Sequence, residues 1–337
     1  MSKLRLAYFG TPAFSASFLE KILSSPDLPV EVVLVVTRPD KKVGRKQILT
    51  PSPVKTTAVS HHIQVWDRPI KELLPLLQDL QIDLAFLFAY GRIIPEEILK
   101  APRYGFWNLH PSLLPLYRGA SPTAFPLILG ERKTGVSLMV MDEEMDHGPI
   151  IAQEEYEIKV GERRGVLENN LTNQGFTLFQ NAISDLMGKR GDGGVQPPTT
   201  PPLEPTTPPP VPQNHDRATY TKIITRDDGY ISPNILQKAL SGEEIIPAEL
   251  PKILLWYYEK NALPTPPHSL AGRVVVNLYL GLSPWPGIWT TIVIDEQERR
   301  LKILDCSLEN SKLVLHTVQL EGKNPVSYAQ FTEHYSL

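Results

Sequence analysis

The sequence predicts an α/β fold: a mostly parallel β-sheet with helices on both faces, joined through a proline-rich spacer to a small β domain. Three observations carry that expectation. Apolar runs of strand length alternate with helix-periodic segments over the first half of the chain. One of those runs, Val30–Val36, is nearly unbroken in β-branched residues, as suits a strand covered on both faces. Residues 197–212 read PPTTPPLEPTTPPPVP, which favours polyproline II geometry and cannot donate a full hydrogen-bond ladder.

In chain order, residues 4–9 (LRLAYF) form the first strand, ended by Gly10-Thr11-Pro12, and a helix-like segment covers 14–23. After the second strand, helical patterns near 53–61 and 69–80 lead to another buried run, Leu84–Phe88. A strand over 106–109 comes next, then a helix near 121–129 and strands near 135–141 and 149–158. A long amphipathic helix covers 165–187. Residues 191–216 are the semi-rigid spacer. Beyond it, 289–294, 301–305 and 312–318 read as short strands between polar turns, and a terminal helix covers 328–334. Residues 274–282 are ambiguous between strand and helix, and the proline-punctuated stretch 243–268 is unassigned. The expected domains are therefore 1–190 and 217–337, with 191–216 between them.

A length of 337 residues makes two domains natural, and 42% apolar with 21% charged residues is ordinary for a soluble globular protein. A net charge of −3 excludes a globally basic nucleic-acid binder while leaving room for a local basic patch. The single cysteine, Cys306, excludes an internal disulfide and a Cys-rich zinc site. No apolar run reaches the length of a membrane span, and the first residues lack a signal-peptide core. The expectation is a cytoplasmic, soluble protein without a metal.

The turn after the first strand lacks GxGxxG, so a dinucleotide is not expected. Ligand sites of open α/β sheets lie at the carboxyl ends of strands, where Gly10, Asn108 and Asp146 all fall. Asn108 and His110 are two apart on one strand and project the same way. With a carboxylate arriving on a second strand, the set suits acyl transfer. The amide and imidazole can hold a developing oxyanion, while the carboxylate handles a proton or orients the imidazole. Taken singly, each residue also fits a plain structural role, as a turn former or a strand-end histidine. Loop 37–55 gathers Arg38, Lys41, Lys42, Arg45, Lys46 and Lys55 against one acid, Asp40. On its own such a run is a solvated face.

Further motifs narrow the reading. They are FGTPAF at 9–14, TRPDKKVGR at 37–45, TPSPVK at 50–55, AYGRIIP at 89–95 and NLHPSLLPLYRGASP at 108–122. TGVSLMVMDEEMDHG at 134–148, Tyr220 with Lys222, SPWPGIWT at 283–290 and VQLEGKNPVS at 318–327 complete the set. In their order and joint presence they resemble the methionyl-tRNA formyltransferases, within the enzymes that use 10-formyltetrahydrofolate. The likeness covers nearly all the chain outside the spacer and 243–268.

The resemblance implies a Rossmann-like first domain and a small, reduced OB-like β-barrel, because the region after Trp289 is shorter than usual. It favours a helix for 274–282. It implies transfer of the formyl group of 10-formyltetrahydrofolate to the amino group of methionyl-initiator tRNA, leaving tetrahydrofolate; the sequence does not give the oligomeric state, and a monomer is the expectation. Asn108, His110 and Asp146 match the family's catalytic trio, with Asp146 rather than Asp142 at the Asp-His-Gly position. Ser112, Leu113, Leu114 and Pro115 match the folate-contacting loop; Phe88, Tyr90 and Gly91 match the pterin pocket, mainly through backbone. Arg38, Lys41, Lys42, Arg45 and Lys46 match the loop that meets the tRNA acceptor end, with Arg45 foremost. Two departures stand out. Pro111 replaces the family's usual glycine, as in the glycinamide ribonucleotide formyltransferases, and residues 191–216 contain no Lys or Arg. The alternatives are formylation of a small amine (an amino-sugar nucleotide or glycinamide ribonucleotide) and a non-catalytic tRNA- or folate-binding protein.

Overall fold

The computed structural model describes residues 3–44, 46–188 and 209–335. The chain forms two compact units. The first comprises Met1–Arg118, Gly135–Tyr156 and Glu168–Ala218; the second comprises Gly119–Thr134, Glu157–Leu167 and Thr219–Leu337. The expected boundaries followed chain order, whereas 119–134 and 157–167 group with the carboxyl-terminal residues. The spacer reading over 191–208 lies outside the described residues. Residues 209–216 are not a free spacer: Val211 and Ile150 exchange reciprocal backbone hydrogen bonds of 2.8 Å.

The first unit is built on a seven-stranded sheet. Its strands are β1 (Leu4–Gly10), β2 (Val30–Val36), β3 (Gln64–Trp66), β4 (Leu84–Phe88), β5 (Phe106–His110), β6 (Lys133–Val140) and β7 (Ile150–Glu157). They lie in the order β7-β6-β5-β4-β1-β2-β3. Pairs from β3 through β5 are parallel, and β6 runs antiparallel to β5. The apolar runs seen in the sequence are thus the central strands, buried on both faces.

Period-2 alternation divides their side chains between two cores. Leu6, Tyr8, Phe86, Phe88, Trp107 and Leu109 enter one; Ala7, Phe9, Ala85, Leu87 and Phe106 enter the other. The first core is closed by helices α1 (Ala13–Leu23) and α5 (Arg164–Gly188), through Phe18, Leu178, Phe179 and Ile183. Phe86 stacks on Phe18 at 5.0 Å and meets Phe179 at 4.6 Å between ring centroids. Gly175 lets α5 approach the strand, since a Cβ there would lie 2.4 Å from Leu109 Cδ2. Helices α2 (Pro53–Ser60) and α3 (Leu74–Asp79) supply Val54 and Ala58 to the first core and Leu77 to the second.

The second unit contains α4 (Ala124–Leu129), α6 (Pro233–Ser241), α7 (Lys252–Lys260) and α8 (Ala271–Leu282). It also holds a four-stranded antiparallel sheet of β8 (Ile288–Ile294), β9 (Gln297–Glu309), β10 (Lys312–Leu320) and β11 (Val326–Ser327). That is the separate β element expected in the carboxyl-terminal region, one strand short of the roughly five of an OB-fold. The ambiguous 274–282 is helical because it packs on a neighbouring helix. A Cβ on Gly281 would lie 2.8 Å from Ala124 O and 2.6 Å from Ile128 Cγ1. The unassigned stretch holds α7, whose Tyr257 packs on Phe125 at 5.2 Å. Helix α6 went unread despite clear signals: Ser232 caps it at Ile235 N, and Gly242 ends it at φ +85°.

Candidate functional site

Strand β5 sets the site. Phe106, Asn108 and His110 alternate onto one face, while Trp107 and Leu109 anchor the other in the core. Asn108 pairs with Leu87 of β4 and Met139 of β6, and His110 pairs with Ser137. Both side chains are buried, 5% and 4% exposed, so neither is an incidental surface polar group.

The carboxylate comes from the turn after β6. This turn closes through Val140 N donating to Pro149 O at 2.9 Å. Gly148 is required there, because a Cβ would lie 1.9 Å from Val140 O. Within the turn Asp142 and Asp146 separate by environment. Asp142 bonds His147 Nδ1 at 2.6 Å and accepts from Glu144 N at 3.1 Å, so it serves the turn itself. Asp146 takes a left-handed backbone, φ +53°, and turns to the strand. Its Oδ1 accepts from Asn108 Nδ2 at 3.4 Å and lies 3.5 Å from His110 Nδ1. The three side chains proposed from sequence therefore meet.

The far side of the imidazole is also held. His110 Nε2 lies 3.0 Å from Tyr117 O, and since a carbonyl only accepts, Nε2 carries the hydrogen. Nδ1 is then the nitrogen that faces Asp146. An amide donor, an imidazole nitrogen and a carboxylate within hydrogen-bonding reach can stabilise an oxyanion and exchange a proton.

The loop after β5 is pinned by residues that sequence reading missed. Ser137 Oγ donates to Ser112 O at 2.6 Å and accepts from Leu114 N at 3.0 Å. Gln153 Nε2 donates to Leu114 O at 2.8 Å and to Ser137 Oγ at 2.7 Å. The one available signal was a lone hydroxyl in the apolar run VSLMV. Ser112 is fully buried and donates to Leu116 O at 2.6 Å, so its side chain shapes the loop. Leu114 is buried, whereas Leu113 and Pro115 remain partly exposed.

Phe88 and Tyr90 turn their side chains into the core. Phe88 packs edge-on against Phe14 at 5.1 Å, and Tyr90 packs edge-on against Phe9 at 5.7 Å. Burial also pushes the Tyr90 phenol above its ordinary pKa. These side chains are core, leaving only backbone for a ligand to meet, next to the exposed Gly91 at φ +74°.

The basic loop is an antiparallel hairpin of Lys41–Val43 and Ile48–Thr50, exposed along its described length. Lys41, Lys42 and Lys46 are on the surface; Arg45 lies outside the described residues. Arg38 donates to Gly91 O, tying the start of the loop to the strand-end backbone. Lys55 is engaged internally by Asp40 at 2.7 Å and Asp67 at 2.8 Å, and these hydrogen bonds raise its pKa. Among the described residues no group of three or more His, Cys, Asp or Glu could hold a metal ion. No described helix is long and apolar enough to cross a membrane.

Comparison with known proteins agrees with this geometry. A sequence-family profile described as formyl transferase matches residues 4–183. A Listeria innocua protein named methionyl-tRNA formyltransferase is 31% identical over 91% of this chain and 80% of its own length. A Staphylococcus aureus protein of the same name is 32% identical over 92% of this chain and 81% of its own. In structure, an N-formyltransferase from Helicobacter canadensis, solved with folinic acid and dTDP-3-aminofucose, superposes with a TM-score of 0.55. At 20% identity, covering 91% of this chain and 88% of that one, it shows a shared fold. The trio at the end of β5 thus sits in a recognised scaffold: the chain belongs to the formyl transferase family.

Proposed function

We propose that this enzyme transfers the formyl group of 10-formyltetrahydrofolate to the amino group of methionyl-initiator tRNA. The observation that carries the reading is the meeting of Asn108, His110 and Asp146 within 3.5 Å. They meet in a formyl transferase whose relatives, over nine-tenths of the chain, are named methionyl-tRNA formyltransferase.

The residues present fit a reduced folate. Leu113 and Pro115 offer a partly exposed apolar wall for a planar ring, and the backbone around Gly91 offers groups to read its edges. When bound, the folate supplies an activated formyl carbon. Asn108 donates its amide to the oxygen that becomes anionic as the amine attacks. With Nε2–H tied to Tyr117 O, His110 does its proton work and charge stabilisation at Nδ1. Asp146 fixes the charge and orientation of that ring and assists deprotonation of the amine.

On the acceptor side, Lys41, Lys42 and Lys46 of the exposed hairpin contact phosphates of the tRNA acceptor end, together with Arg45. Arg38 adds charge beside them while bonding Gly91 O. This chemistry belongs to translation initiation and is carried out where charged tRNA is found, in the cytoplasm.

The test is formylation of charged initiator tRNA by the purified protein, with glycinamide ribonucleotide and amino-sugar nucleotides as parallel acceptors. Turnover on the tRNA alone is expected. Turnover on a small amine with none on tRNA would overturn the acceptor assignment and leave the formyl chemistry standing.

A further inference from the structure

We infer that Gln213 is a positioning residue for this site: its carboxamide clips the turn carrying Asp146 to the loop holding His110. The inference rests on the formyl-transfer reading of Asn108, His110 and Asp146.

Gln213 comes from the segment after the proline-rich stretch, far in sequence from either loop. It is 6% exposed. Its Nε2 donates to Asp146 O at 3.0 Å and to Gly148 O at 2.7 Å. Its Oε1 accepts from Arg118 Nε at 3.2 Å and Nη2 at 2.6 Å. Both ends of the amide are therefore filled, and their orientation is dictated. A guanidinium only donates and a carbonyl only accepts, so the amide has one arrangement that satisfies all four bonds.

The two anchors matter because of their neighbours. Arg118, 2% exposed, directly follows Tyr117, whose carbonyl holds His110 Nε2. Asp146 carries the carboxylate facing His110 Nδ1 at 3.5 Å and sits at φ +53°, where a non-glycine residue needs outside support. One side chain thus ties the backbone of the Asp146 turn to the guanidinium of Arg118, the residue next to the carbonyl that holds His110.

The segment bearing Gln213 is itself fastened. Val211 pairs with Ile150 of β7, and His215 Nδ1 lies 2.8 Å from Arg118 Nη2. His215 also stacks on His147 of the Asp146 turn, with ring centroids 3.9 Å apart and planes at 7°. Bonds to both loops and a ring stack on one of them fit a clip better than a passing connection.

Gln213→Met keeps the shape and removes the four hydrogen bonds. Gln213→Glu keeps an acceptor for Arg118 but sets an oxygen against the carbonyls of Asp146 and Gly148. The measurement is kcat for tRNA formylation, taken as Vmax divided by the concentration of sites that bind tetrahydrofolate, across pH. For Gln213→Met we expect a fall of roughly 10- to 100-fold per competent site, as misplacement by about 1 Å produces. The KM for both substrates should stay within about twofold, and the pH profile of kcat should move. Gln213→Glu should fall at least as far. A smaller folded fraction would change neither the rate per binding site nor the profile. A rate per site within twofold of the parent, or a loss with an unmoved profile, would overturn the inference. If Gln213→Met does not fold, Gln213→Asn carries the same comparison: it keeps an amide but cannot span both anchors. The parent protein is the control, since its failure on tRNA would sink the functional reading rather than the clip.

Discussion

Asp146 and Asp142 stand four residues apart in one acidic turn, and their chemistry is separated by what each touches. Asp142 spends its oxygens on His147 and the backbone of Glu144, whereas Asp146 faces His110 and Asn108. Asp146→Asn is accordingly expected to abolish formylation while tetrahydrofolate still binds, checked by turnover and by folate titration on one preparation. Asn108→Ala removes one oxyanion donor and should cost about 10²–10³ in kcat. Lys42→Glu on the hairpin, or Arg45→Glu in the same basic stretch of sequence, should weaken tRNA binding and reduce the slope of log K against log salt by about one per lost phosphate contact. An unchanged slope would remove the hairpin from the interface. At this scale the convergence of three side chains was legible. Strand periodicity put Asn108 and His110 on one face, and motif order picked out Asp146. The Tyr117 carbonyl, Ser137, Gln153 and Gln213 were not legible, because each acts through a backbone contact whose partner is set only by folding.

Among the elements, the strands that surfaced most clearly in sequence are those buried on both faces. β4 and β5 read as apolar runs because no side of them meets water, and β1 and β2 are nearly as covered, opening only at Arg5 and at 31–33. β9 extends well past the expected 301–305, to Gln297–Glu309. Its flanks are polar on the solvent face and become strand by pairing with β8 and β10. The same logic settles α8, where β-branched residues are helical because Gly281 admits α4. The turn after β6 allows a sharp test. Gly148→Ala should destabilise the first unit by about 1–3 kcal/mol, since its methyl would overlap Val140 O. Denaturant unfolding would show it, and an unchanged midpoint would mean the turn is looser than the geometry states.

For the whole molecule, the aromatic core and the lone thiol report on different units. Phe86 lies against Phe18 and Phe179, so Phe86→Ala should cost about 3–5 kcal/mol. Burial, with Asp305 adjacent, pushes the Cys306 thiol up to about 12. Below that pH the group stays a neutral thiol and a poor nucleophile. Cys306 should therefore resist a disulfide reagent at pH 8 until the second unit opens, and labelling should follow denaturant unfolding rather than folate binding. Rapid labelling of the folded protein would contradict the burial. The sequence by itself determined the α/β class, the strand that presents Asn108 and His110, the carboxylate that meets them and the charge of the 37–55 loop. These are written in local patterns: period-2 burial, short motifs and charge. Only the tertiary structure decided that 119–134 and 157–167 join the carboxyl-terminal unit, that Tyr90 is core, and that Gln213 bridges the two loops of the site. Those facts depend on contacts between residues far apart in sequence, and a hydrogen bond or a buried face has no local signature until its distant partner arrives.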